Sequence, residues 1–198
     1  MMRLFYAPAS PYSRKVRALA IEAGLAEAIE LVPALPLDAA DPLHLINPLG
    51  RVPTLVCEDT FWLVDSPVIC EYLDSLNSSG LYPPVGKSRW RALRLQALGD
   101  GIMDSAVSWV QELRRVESER AQEWLDRREL QVKTTLAYLE SDLSQLEDWS
   151  IGTLALACAW EYLNFRLTET SWIDNFPGIS RWADKLADRP CLAKTRPV

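Results

Sequence analysis

The hydrophobic pattern of this chain changes period once, near residue 80, and that change bounds the folds open to it. Before it, short strand-like runs alternate with helical patterns; after it, only helical patterns occur. Met2 to Tyr6 reads as a strand ended by Ala7-Pro8-Ala9. Ser10-Pro11 then opens a helix, with Ser as N-cap and Pro in the first helical position. Val16, Leu19, Ala20 and Ala23 recur on one helical face, and Gly24 is placed to end it. Ile29 to Val32 is a second strand. Pro33, Pro36, Pro42 and Pro48 leave room for at most one helical turn. Pro53 to Cys57 and Phe61 to Val64 read as a hairpin joined by Glu58-Asp59-Thr60. Ser66-Pro67 starts another helix in the same way as Ser10-Pro11, running to about Ser75. The order β-α-β then β-β-α predicts a mixed sheet with helices packed on it.

Asn77-Ser78-Ser79-Gly80 and Pro83-Pro84-Val85-Gly86 are turn-rich and aperiodic. We read residues 77–87 as a linker between an α/β domain, 1–76, and an all-helical domain, 88–198. The second domain is expected to hold a long helix from about Lys87 to Arg115. Further helices are expected from about Ala121 to Leu146, from Ile151 to Leu167, and from about Gly178 to Ala187. Opposite charges at helical spacing, such as Glu123 with Arg127, mark a solvated face. The eight tryptophans read as core and domain-interface residues rather than a ligand cage.

Composition removes several functions. With 21 Lys+Arg against 27 Asp+Glu the net charge is −6, and no basic run exceeds a pair, which argues against a nucleic-acid partner. His44 is the single histidine, so a His-rich metal site cannot be built, and no metal is expected. Cys57, Cys70, Cys158 and Cys191 form no CxxC pair and read as structural. The longest apolar run, Leu154 to Trp160, is far short of the ~20 residues a membrane span needs. Met1-Met2-Arg3 leads straight into the first strand, and we expect a cytosolic chain with reduced thiols.

Four stretches carry a resemblance that covers nearly the whole chain. They are Ser10-Pro11-Tyr12-Ser13-Arg14-Lys15-Val16-Arg17, Asn47-Pro48-Leu49-Gly50-Arg51-Val52-Pro53-Thr54-Leu55, Asp65-Ser66-Pro67-Val68-Ile69-Cys70-Glu71-Tyr72-Leu73 and Leu154-Ala155-Leu156-Ala157-Cys158. In this order and at these separations the chain resembles a glutathione transferase, and is most similar to small bacterial members of the YibF-like kind. The resemblance implies a thioredoxin-like N-terminal domain, an all-α C-terminal bundle, and a homodimer. It also implies glutathione as co-substrate, whose thiolate adds to a hydrophobic electrophile held between the domains. Rival readings are a non-catalytic regulatory protein on the same fold, and a glutathione-dependent isomerase or peroxidase.

The residue roles follow from the same resemblance. Ser10 at a helix N-terminus is the catalytic candidate: its hydroxyl would hydrogen-bond the glutathione sulfur and favour the thiolate. Lowering a thiol pKa of ~8.5 by ~2 units takes roughly 2.7 kcal/mol. A charged hydrogen bond supplies ~1.5–3 kcal/mol. Both Ser10 and Asp65-Ser66 also read simply as helix caps, and Ser13 is the weaker thiol candidate. Ser-Pro-Tyr-Ser cannot form a redox disulfide. Val52 and Pro53, expected to be joined by a cis bond, would offer backbone groups to the cysteinyl unit. Ser66 would bind the γ-glutamyl carboxylate, while Asp65 and Asp100 would pair with its ammonium. Arg51 is the candidate for the glycyl carboxylate, and His44 reads as a surface loop residue. Ala9, Tyr12, Met103, Asp104, Val107 and Ser108 are the candidate electrophile pocket. In Ser150-Ile151-Gly152-Thr153 the family carries an acid where Thr153 stands. Threonine is expected to return the capping hydrogen bond only weakly, so that aspartate there would stabilise the chain.

Overall fold

The computed structural model describes every residue except Asp59, Thr60 and Val198, together with the side chain of Ile173. The expected hairpin turn at Glu58-Asp59-Thr60 thus falls largely outside the described residues. The chain forms two compact units. The first contains Met1–Pro84 and also Arg189–Val198; the second contains Val85–Asp188. This differs from a division that leaves the whole C-terminus with the helices: the last ten residues return to the first unit.

The first unit is built on strands β1 (Met2–Tyr6), β2 (Ile29–Pro33), β3 (Thr54–Glu58) and β4 (Phe61–Leu63), in the order β2-β1-β3-β4. β1 pairs in parallel with β2, while β3 is antiparallel to both β1 and β4. The parallel pair requires a crossover, and helix α1 (Pro11–Glu22) supplies it. Ser10 caps α1, its hydroxyl accepting from the Ser13 N–H at 3.2 Å. Val16, Leu19, Ala20 and Ala23 are all buried. Gly24, at φ +68°, ends the helix. Leu25 N–H reaches Ala20 O at 2.8 Å and Gly24 N–H reaches Ile21 O at 3.0 Å. This is a Schellman ending, and it needs the left-handed residue that glycine provides.

The expected single turn is α2 (Leu43–Ile46). Helix α3 (Ser66–Leu76) begins one residue earlier than expected: its N-cap is Asp65, and Ser66 is the first helical residue. A proline lacks an N–H that the whole first turn leaves unbonded, so it fits at the second position as well as the first. Ser-Pro therefore marks the start of the helix without fixing the cap.

The second unit holds α4 (Lys87–Leu113), α5 (Gln122–Glu140), α6 (Ile151–Arg166), α7 (Trp172–Asn175) and α8 (Pro177–Leu186). A last turn, α9 (Pro190–Ala193), belongs to the first unit. α6 is buried continuously from Ile151 to Trp160 and packs on α4. Two glycines permit the approach. A Cβ on Gly99 would stand 2.9 Å from the backbone of Ala155, and one on Gly152 would stand 2.4 Å from the Ala92 carbonyl.

α5 stops short of Leu146. Asp142 instead accepts from the Ser144 N–H at 3.2 Å and starts a separate 3-10 turn, Leu143–Leu146, because a short acceptor side chain competes for backbone N–H groups. Thr153 also departs from expectation. The capping box at Ser150 is complete, with Ser150 N–H donating to Thr153 Oγ1 at 2.8 Å. Of the tryptophans, Trp109, Trp160 and Trp172 are core residues, and Trp109 meets Trp172 edge to face. Trp90 and Trp124 are exposed, against the core reading, and the Arg128 guanidinium covers the Trp124 ring at 3.8 Å. Among the described residues no helix is long and apolar enough to cross a membrane.

Candidate functional site

Strand directions bring three chain segments to one end of the sheet. β1 leaves the sheet there into Ala7–Ser10 and α1. β3 enters there from Arg51-Val52-Pro53, because it runs antiparallel to β1. β4 leaves there into Asp65 and α3, because it runs antiparallel to β3. The registers make this specific. Phe5 pairs with Thr54, and Leu55 pairs with Leu63. Val52-Pro53 therefore enters β3 at the end of the sheet where β1 leaves toward Ala7 and β4 leaves toward Asp65.

Two helix N-termini therefore face the same sheet end. Neither α1 nor α3 has an acidic residue within its first turn; the partial positive charge at the start of α1, capped by Ser10, is left uncompensated by its own helix, while Asp65 stands at the cap of α3. That arrangement suits an anionic ligand.

The two candidate hydroxyls differ. Ser10 is half-buried and accepts the Ser13 N–H. Ser13 is fully buried, and its hydroxyl lies 3.5 Å from the Ala7 N–H. Ser66 is 2% exposed. Asp65 is exposed and makes no side-chain capping bond, although it occupies the cap position. Its carboxylate is not consumed by the helix start.

The loop before β3 is held by a residue the sequence reading did not single out. Asn47 is fully buried. Its Nδ2 donates to Arg51 O at 3.0 Å and to Thr54 Oγ1 at 2.9 Å, while its Oδ1 accepts from Leu49 N–H at 2.9 Å. Asn47-Pro48-Leu49-Gly50 is the signal that could have revealed it, since asparagine closes such turns with its own side chain. The Val52–Pro53 bond is cis, and so is Val64–Asp65. Arg51 is exposed. His44 is not a free surface residue: its ring fills the space over Gly50, where a Cβ would come 2.3 Å from Cε1. Asp41 braces the approach to α2, accepting from Leu35 N–H at 2.6 Å and Leu43 N–H at 2.8 Å. These two bonds, Leu35's the stronger influence, hold its carboxyl below the usual range.

Ala9 and Tyr12 flank Ser10 in the first unit. On α4, Asp100, Asp104, Val107 and Ser108 share one stripe of the helix, none of them fully buried. Met103 does not belong with them. It is completely buried in the core of the second unit and offers no surface to a ligand. The cysteines are free thiols, three of them buried. Burial pushes the Cys57 thiol up, against a hydrogen bond with Tyr72, so it is no ready nucleophile. Among the described residues no three His, Cys, Asp or Glu side chains cluster to hold a metal.

Fold and site together define a thioredoxin-like sheet joined to a helical unit, and known proteins agree. The family described as glutathione S-transferase, N-terminal domain, matches residues 9–76. The uncharacterized GST-like protein YibF of Escherichia coli (strain K12) is 32% identical over 201 residues, covering 99% of this chain and 98% of its own. A glutathione transferase family member from Pseudomonas fluorescens Pf-5, solved with bound glutathione, is 36% identical with a TM-score of 0.94, covering 100% of both chains. Its structure with bound S-(propanoic acid)-glutathione gives a TM-score of 0.91 at the same identity. The chain belongs to the glutathione S-transferase family.

Proposed function

We propose that this protein is a glutathione transferase in which Ser10 holds the glutathione thiolate for addition to an electrophilic small molecule. The observation that carries the reading is the convergence of the starts of α1 and α3 on the Val52-Pro53 segment at one end of the sheet. Ser66, at the start of α3, binds the γ-glutamyl carboxylate, and Asp65 pairs with the ammonium beside it. Val52 and Pro53 meet the cysteinyl backbone as an added strand would, just before Thr54, the first paired residue of β3. Arg51 takes the glycyl carboxylate. The thiol sits at the start of α1, where the Ser10 hydroxyl accepts from Ser13 and keeps its own proton to donate to sulfur. Ala9 and Tyr12 contact the electrophile, and Asp104, Val107 and Ser108 are the α4 residues proposed to set its choice. Asp100 is proposed for the ammonium.

The active form is proposed to be a cytoplasmic homodimer. Exposed apolar residues on the first unit support a second copy: Phe61 on β4, whose ring meets the half-buried Tyr72 edge to face, and Val68 one turn from Tyr72 on α3.

The test is thermal unfolding with glutathione and with S-hexylglutathione, followed by a panel of electrophiles. A ligand at ~100 times its dissociation constant stabilises by ~2.7 kcal/mol. We expect both to raise the melting temperature and at least one electrophile to be conjugated. No shift at millimolar glutathione would overturn the assignment. Binding without turnover on any electrophile would favour a regulatory protein.

A further inference from the structure

The last ten residues leave the helices they follow and pack in the first unit, where α9 lies against α1. Two separated contacts join them. Near the start of α1, Nη2 of Arg14 donates to the Leu192 carbonyl at 3.3 Å. At its end, the Glu22 carboxylate accepts from the Cys191 thiol at 3.0 Å and lies 3.8 Å from the Arg189 guanidinium. The contacts are eight residues apart on α1, about 12 Å along its axis. The segment is also closed on itself, the Thr195 hydroxyl donating to the Cys191 carbonyl at 2.6 Å. Arg14, Cys191, Leu192 and Thr195 are each at most 3% exposed.

A buried guanidinium is costly, and apolar side chains fill helix–helix contacts without that cost. Arg14 therefore calls for a reason beyond packing. Its backbone supplies one half: its N–H donates to the Ser10 carbonyl at 3.0 Å, the first intrahelical bond of α1. Its side chain supplies the other half at Leu192. One residue is thus bonded both to the turn that carries Ser10 and to the returning C-terminus.

We propose that Arg189–Thr195 acts as a clasp on α1, and that Arg14 is a positioning residue that fixes the Ser10 hydroxyl relative to the sheet end at Val52. This rests on the reading of Ser10 as donor to the glutathione thiolate. A hydroxyl–sulfur hydrogen bond weakens with small losses of distance and alignment, so a loosened first turn of α1 raises the pKa of the bound thiol. Contacts to the rest of the tripeptide come from β3 and α3, so affinity for glutathione with its thiol protonated changes little.

The test is the thiolate absorbance of bound glutathione against pH, on full-length wild type, Arg14→Met and Glu22→Ala. The two variants separate the clasp from simple charge. Removing the Arg14 cation raises the thiol pKa by its field alone, whereas removing the Glu22 anion lowers it. Loss of the clasp raises it in both. We expect a rise of about 1 unit for Arg14→Met, about tenfold in thiolate at a fixed lower pH, and a smaller rise for Glu22→Ala. Dissociation constants for glutathione, measured at a pH low enough to keep the bound thiol protonated, should stay near wild type. An unchanged or lowered pKa in Glu22→Ala, or an unchanged one in Arg14→Met, overturns the proposal. Should Arg14→Met fail to fold, Arg14→Lys keeps the charge with a shorter reach, and a raised pKa is again required. A wild type that binds glutathione with its thiol still protonated near neutral pH would instead sink the Ser10 reading, and the clasp's role with it.

Discussion

The Thr153 hydroxyl accepts from the Ser150 N–H at 2.8 Å while standing 2.9 Å from the Asp148 carbonyl, to which it donates. Aspartate at this position can accept the first bond but not donate the second. Its carboxylate would also face the carbonyls of Asp148 and Ser150, in a place 1% exposed. We expect Thr153→Asp to destabilise by about 1–2 kcal/mol: the unmet carbonyl and charge burial outweigh the ~0.3–1 kcal/mol a helix start returns to an acid. This reverses the expectation from the motif alone. Urea denaturation at constant m-value measures it, and a raised midpoint would refute it.

Ser10 and Ser13 should part company in their pH profiles. Ser10→Ala is expected to raise the bound-thiol pKa by about 1–2 units, reflecting a lost charged hydrogen bond. The thiolate then forms only at higher pH, so conjugation falls about tenfold or more near pH 6.5 and recovers as pH rises. Ser13→Ala removes a buried acceptor facing Ala7, which should lower stability and leave the thiolate pKa alone. The opposite pattern would move the catalytic role to Ser13.

Ser66 is the first residue of α3 rather than its cap. Ser66→Ala should therefore cost less stability than the ~1 kcal/mol typical of a lost cap. Glutathione binding should weaken by ~1.5–3 kcal/mol, the worth of a charged hydrogen bond. Calorimetric titration alongside thermal unfolding reads both, and equal affinities would show that Ser66 does not touch the ligand.

Two glycines of the second unit should respond oppositely to alanine. Nothing lies within 4 Å of a Cβ on Gly101, which sits exposed inside α4. Gly101→Ala should stabilise by about 0.5–1 kcal/mol through helix propensity. A Cβ on Gly152 meets the Ala92 carbonyl at 2.4 Å and Leu95 Cβ at 2.5 Å. Gly152→Ala should force α4 and α6 apart at a cost of roughly 1–3 kcal/mol or more. Chemical denaturation of both variants compares them directly.

The elements of the first unit were legible because their signals are local. The strand run Met2–Tyr6, the Ser10-Pro11 start and the Gly24 ending each act within a few residues. The site motifs were legible for the same reason, since both helix starts and the Val52-Pro53 segment are short. Other features depended on partners far away in sequence. The N–H groups of Gly178 and Ile179 at the start of α8 are satisfied by the Glu140 carboxylate at 2.6 and 2.8 Å, from 38 and 39 residues upstream. No pattern around Pro177 could indicate that donor–acceptor set. Trp90 and Trp109 share one helix and one residue type, yet packing buries the second and leaves the first 67% exposed. Met103 sits on α4 next to the exposed Asp104, yet it is completely buried. The return of Pro190–Ala193 to α1 turns on Arg14 and Leu192, 178 residues apart. Periodicity reports which face of an element is apolar; which neighbour covers that face, and which distant group completes a hydrogen bond, is decided only when the chain is packed.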